Sequence, residues 1–132
     1  MIAALLIFAQ ITPVPAEPKP IPTTIAAIHK DPKKFDGRIV RIHGYVNACE
    51  IASCDIDERL KTDPAGPEQE LSIGKDAKFD ATVRPLIPTY VELDARVDAR
   101  CILAPCLDRG NALTVVTLRG VVSPEPPPFE KP

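Results

Sequence analysis

The chain has 132 residues, with 16 Lys and Arg against 18 Asp and Glu, a net charge of −2 and 45% apolar residues. That length fits a single domain, and the apolar fraction supports a buried core rather than a disordered polyampholyte. A near-neutral balance with 5% aromatics and no Trp lacks the basic footprint and stacking rings of a nucleic-acid binder, so no nucleic-acid partner is expected.

Ten of the sixteen prolines lie at residues 13–22 or 124–132, which sets off an ordinary domain over residues 23–123. The apolar start, Met1 to Ile11, is about half the ~20 residues that span a bilayer, so no stable membrane span is expected. It reads as the apolar region of a signal peptide over residues 1–16, with Val14-Pro15-Ala16 supplying small residues for cleavage before Glu17. No Lys or Arg precedes it: either the true start lies upstream or the charge of the amino terminus suffices. Residues 17–22 are a Pro-rich extended spacer, and residues 124–132 a solvated Pro-rich tail. The expected location is the periplasm or the medium.

Thr23 or Thr24 caps a short helix that carries Ile25 and Ile28 on one face. Asp31-Pro32 interrupts it, because the residue before proline avoids the helical region. Lys33-Lys34-Phe35 adds one more turn, and Asp36-Gly37 turns the chain into a first strand from Arg38. There the period becomes two: Val40, Ile42, Gly44 and Val46 face one way, and Arg41, His43, Tyr45 and Asn47 the other. Gly44 in mid-strand predicts a bulge or bend. A second strand is expected over 53–59, a loop over Thr62–Pro67, and a third strand over 70–73. Asp76 caps a helix over 77–84, with Phe79 and Val83 on one face, and Pro85 and Pro88 end it. From Tyr90 to Cys101 polar and apolar residues alternate without a break, predicting a long fourth strand, buried on one side and wet on the other. Leu113 to Val122 is the fifth.

Five strands with a helix between the third and fourth predict a mainly β domain, a five-stranded OB-fold-like Greek-key barrel preceded by a short N-terminal helix. The run Thr24-Ile-x-x-Ile28…Asp31-Pro-x-x-Phe35-Asp-Gly37-x-x-Val40-x-Ile42-x-Gly44-x-Val46 resembles the opening of small secreted bacterial OB-fold domains, the bacterial OB-fold group and related anticodon-domain-like modules. Ser72-Ile-Gly74…Phe79-Asp80 and Cys106-x-Asp108-Arg109 extend that resemblance. These positions are turns and core residues, so the resemblance implies a fold and no catalytic residues.

Cys49 and Cys54, like Cys101 and Cys106, are separated by four residues, each pair at a strand-to-strand junction. Residues opposed across a hairpin have Cα atoms within disulfide range, so in an oxidising compartment Cys49–Cys54 and Cys101–Cys106 are the expected bridges. Because both loops flank one face of an OB-fold, a tetrathiolate zinc site and crosswise bridges compete with that pairing. A redox-active thiol pair is a further alternative.

Outward residues of the first and fourth strands, Arg41, His43, Tyr45, Glu92, Asp94 and Arg96, form a polar face. Asp108 and Arg109, in a turn beside Cys106, are placed with it. The expectation is a non-enzymatic exported binding module for a protein or small molecule, with no cofactor implied. One alternative is an enzyme, using a metal at His43, Glu92 and Asp94 or the thiols; another is an OB domain for nucleic acid.

Overall fold

The structure, a computed structural model, describes residues 18–60, 70–104, 106 and 110–122. The segment read as a signal peptide over 1–16, the one read as a loop over Thr62–Pro67, Asp108, Arg109 and the segment read as a tail over 124–132 lie outside the described residues. Thr24 caps as its sequence context predicts: its Oγ1 accepts the Ala27 N–H at 3.0 Å, opening helix α1, Ile25–Lys30. Helix α2, Pro32–Phe35, follows with proline at its first position and drives Phe35 into the core. Asp76 Oδ1 accepts the Phe79 N–H at 2.8 Å, opening helix α3, Ala77–Val83. A 3-10 turn, Arg84–Leu86, completes that segment. Ile25, Ile28, Phe79 and Val83 are all fully buried, so each helix delivers the face that its periodicity selects.

The strands are β1 (Ile21–Pro22), β2 (Ile39–Cys49), β3 (Ser53–Asp57), β4 (Leu71–Gly74), β5 (Thr89–Val97) and β6 (Leu113–Val122), with a one-turn helix α4 (Arg100–Leu103) between the last two. They form one mixed six-stranded sheet, so the molecule is mainly β with a few short helices. Antiparallel pairs join β2 to β3, β3 to β4, β5 to β6 and β2 to β5, while β1 runs parallel to β2 and β4 parallel to β6. Stepping from β2 through β3, β4, β6 and β5 therefore leads back to β2. The β4–β6 step is thin: one bridge, Ile73 to Leu113, and the Ala112 N–H donating to the Ser72 hydroxyl at 2.9 Å.

Inward residues of every turn of this path meet in one core: Val40, Ile42 and Val46 of β2, Ile56, Ile73, Val91, Leu93 and Leu113 are fully buried. Each contributes about 1.5–3 kcal/mol relative to exposure. Gly44 belongs to the same inward row. An added Cβ there would stand 2.8 Å from the Asp57 carbonyl oxygen, from Ile25 Cδ1 and from Ile56 Cγ1. The glycine is thus what lets β2 pass close over β3 and α1.

Three expectations are corrected. The sheet has six strands rather than five: Ile21 and Pro22, inside the segment read as spacer, pair with Val40 and Arg41, a contact too short to show any period. The register shift of β2 falls at Asn47, between Val46 and Ala48, so the bulge is not at Gly44, whose pairing with Val91 is unbroken. And β5 stops at Val97, although the alternation of residue types runs on. The Asp98 carboxylate accepts the Arg100 N–H at 3.1 Å and Asp36 accepts that of Ala99 at 2.9 Å, which turns Ala99 out of the strand to cap α4 and puts Cys101 in that helix. Side-chain capture of backbone donors outweighs the period-two pattern here.

Candidate polar face on β2 and β5

Antiparallel register sorts the outward residues of β2 and β5 into facing pairs: Arg41 with Asp94, His43 with Glu92, Tyr45 with Tyr90. Directly opposed side chains are the closest neighbours a sheet offers. Arg41 uses the planar fork of its guanidinium, donating from Nε to Asp94 Oδ1 at 2.8 Å and from Nη2 to Oδ2 at 3.1 Å. His43 Nε2 lies 2.7 Å from Glu92 Oε2, and its ring stacks on Tyr90 with centroids 6.2 Å apart. Tyr45 meets Tyr90 edge-on at 4.9 Å, a favoured aromatic geometry.

β6 adds a residue that no strand period reveals. Its inward side chains are Leu113, Val115, Leu118 and Val121, with spacings of two, three and three, because irregularities in the β5–β6 register leave Val116 and Arg119 without a facing partner. The second shift sends Arg119 to the outer face. There its Nε donates to Glu92 Oε1 at 2.9 Å and its Nη1 stands 3.5 Å from Asp94 Oδ2. Arg119 is the only charged residue between Leu113 and Val122, and that, with the adjacent Gly120, is the trace it leaves in the sequence.

The face is thus a row of complementary charges, Arg41–Asp94–Arg119–Glu92–His43, ending on two tyrosines. The hydrogen bond from His43, opposed by burial and reinforced by Arg119, holds the Glu92 carboxyl below the usual carboxylate range. Tyr45, expected on the wet side, is buried with 3% exposure, and Asp94 and Tyr90 are buried as well. The outer face is exposed at His43, Arg96 and Arg119, half-exposed at Arg41 and Glu92, and buried at the two tyrosines and Asp94. Next to Tyr45 on β3 stands Asp57, 2% exposed. Its Oδ1 accepts the Arg59 N–H at 3.0 Å, while its buried Oδ2 has no hydrogen-bond partner. Nothing in the sequence distinguishes this Asp from its neighbours Asp55 and Glu58.

Both expected disulfides are present. Cys49 and Cys54 face each other across the β2–β3 hairpin with Cα atoms 4.0 Å apart. Cys101–Cys106 is also bonded, at 4.9 Å, but it ties α4 to the following loop rather than bridging two strands. With all four sulfurs held in disulfides, none is a thiolate that could ligate zinc in this state. His43, Glu92 and Asp94 likewise do not converge. Glu92 takes His43 and Arg119, whereas Asp94 takes Arg41 and Arg119. Among the described residues no group of three or more metal-ligating side chains is assembled. No described helix is long and apolar enough to cross a membrane. Arg96 sits at the far end of the face, opposite Ile39; Asp108 and Arg109 lie outside the described residues. Comparison of the chain with family models, curated proteins and solved structures returns no match.

Proposed function

We propose that the chain is an exported, non-enzymatic binding module of OB type, whose polar face on β2, β5 and β6 engages a protein or small-molecule ligand. The strand path carries this reading: β2, β3, β4, β6, β5 and again β2, with β4 and β6 parallel and α3 between β4 and β5, is the order of a five-stranded Greek-key OB barrel. β1 is then an added strand on the first. Two short-loop disulfides suit an oxidising compartment. The face offers paired charges around the exposed His43 and Arg119, with the buried Tyr90 stacked on the His43 ring. Glu92 and Asp94 at its centre oppose a polyanion there.

Intact mass spectrometry of the natively produced protein tests the export half. A chain beginning at Glu17 that gains about 4 Da on reduction supports it, and a full-length chain with reduced thiols overturns it. Ligand retention by the folded protein, compared with an Arg119→Glu variant assayed below its own melting temperature, tests the face. Binding that survives the charge reversal overturns that assignment. Turnover of any substrate abolished by His43→Ala would replace the module with a hydrolase built on the His43–Glu92 pair.

A further inference from the structure

Along the outer face Arg41 meets Asp94 and His43 meets Glu92, but the register sets Arg96 against Ile39. Arg96 therefore has no carboxylate across the strand. Its Nη1 donates to the Gly37 carbonyl at 2.7 Å, which occupies one of five N–H donors. Beside it lies a hollow of about 150 Å³, with Pro18, Ile21 and Ile39 as an apolar floor and Lys19, Arg38 and Arg96 around it. The fold assembles this trio from three places. β1 lies parallel to the start of β2 and brings Lys19; the turn at Gly37, with φ +71°, presents Arg38; β5 presents Arg96.

No carboxylate of the described residues lines the hollow. Of the described residues, the acidic side chains nearest in the chain and on the sheet have other partners: Asp36 accepts the Ala99 N–H, and Asp94 holds Arg41 and Arg119. Among the described residues, Lys19, Arg38 and Arg96 make no ion pair. Three cations concentrated around one concavity, on a chain of net charge −2, raise the local positive potential and attract a compact anion. The volume is worth about five waters at ~30 Å³ each, room enough for one phosphate group.

We propose that this hollow binds a phosphate group, carried either on a soluble molecule or on a lipid headgroup. The guanidinium forks of Arg38 and Arg96 match two phosphate oxygens each, Lys19 adds a point charge, and the apolar floor takes the carbon to which the phosphate is attached. The site is separate from the His43–Glu92 pairs and does not rest on the OB reading.

The test is an amide-resolved NMR titration of the purified full chain with inorganic phosphate, followed by sedimentation with vesicles of phosphatidylglycerol or of phosphatidylcholine. Saturable shifts at Gly37, Arg38, Ile39 and Arg96 are expected. Arg96→Ala should weaken them about tenfold, and the Lys19→Glu/Arg38→Glu pair, which leaves the sheet contacts of Arg96 intact, should abolish them. Lys78→Glu, on the exposed side of α3, should leave them unchanged. Binding to phosphatidylglycerol but not phosphatidylcholine vesicles, lost in the double variant, identifies a headgroup; response to free phosphate without vesicle binding identifies a soluble ligand. Shifts that do not saturate, that spread over all basic residues, or that persist in the double variant overturn the proposal.

Discussion

A methyl group added at Gly44 would press at 2.8 Å on a backbone carbonyl, that of Asp57, and on two fully buried isoleucines, Ile25 and Ile56. A carbonyl in a paired strand has little room to give. Gly44→Ala is expected to cost about 1–3 kcal/mol, as overpacked cores do. Read as a melting temperature, that is about 4–8 °C per kcal/mol for a domain of this size. A variant that melts with the wild type would show that β2 and β3 can part at that point. Glu92 supplies a pH dependence. Its folded carboxyl titrates below the ordinary 4.5, so the stability it contributes is fully present above the unfolded value and is lost as pH falls through the lowered folded one. Glu92→Gln should therefore flatten the acid limb of the stability profile below about pH 4.5 and change little of its shape above it. Denaturant midpoints measured from pH 3 to 7 read this directly.

At the scale of elements, the two disulfides close loops of equal length, with a sequence separation of 5 each. The chain-entropy relation assigns roughly 2 kcal/mol to either bridge. Cys49→Ser/Cys54→Ser should lose about that much, because the bridge pins a hairpin whose strands continue into the core; an unchanged denaturation midpoint would contradict it. The charge row depends on Asp94, which is nearly buried between Arg41 and Arg119. Asp94→Ala should cost about 1–3 kcal/mol, the range for removing a buried hydrogen-bonding partner. Most of these elements were legible in the chain. The caps at Thr24 and Asp76, the inward row of β2 and the cysteine pairing all follow from local chemistry and short spacing. What escaped was long-range or irregular. β1 exists only because β2 lies beside it, and α4 because Asp36 and Asp98 reach its first amides. Arg119 reaches the polar face only because the β5–β6 register slips, and period-two reasoning has no purchase on a strand whose inward residues step by two, three and three.

For the whole molecule, the sequence order of helix, three strands, helix and two strands survives as the frame of the fold, and the added strand leaves it intact. Burial was less legible than order, since alternation says which residues share a face and not whether that face stays wet. Tyr45, Tyr90 and Asp94 share the side with His43 and Arg96, yet only the latter two are exposed. The path that returns to β2 is also uneven in strength. β2 and β5 pair through eight residues in succession, Ile39 to Val46; β4 and β6 meet through Ile73 and Leu113 alone, with one hydroxyl beside them. Leu113 and Ile73 are as fully buried as Val40 and Ile42, so burial by itself would rank these regions equal. Hydrogen exchange ranks them differently: the Ala112 amide should escape by a small local opening whose rate barely responds to denaturant, and faster still in Ser72→Ala, whereas Val40 and Ile42 exchange only when the entire chain unfolds. The junction of β4 and β6 is thus the seam at which partial opening is expected to begin.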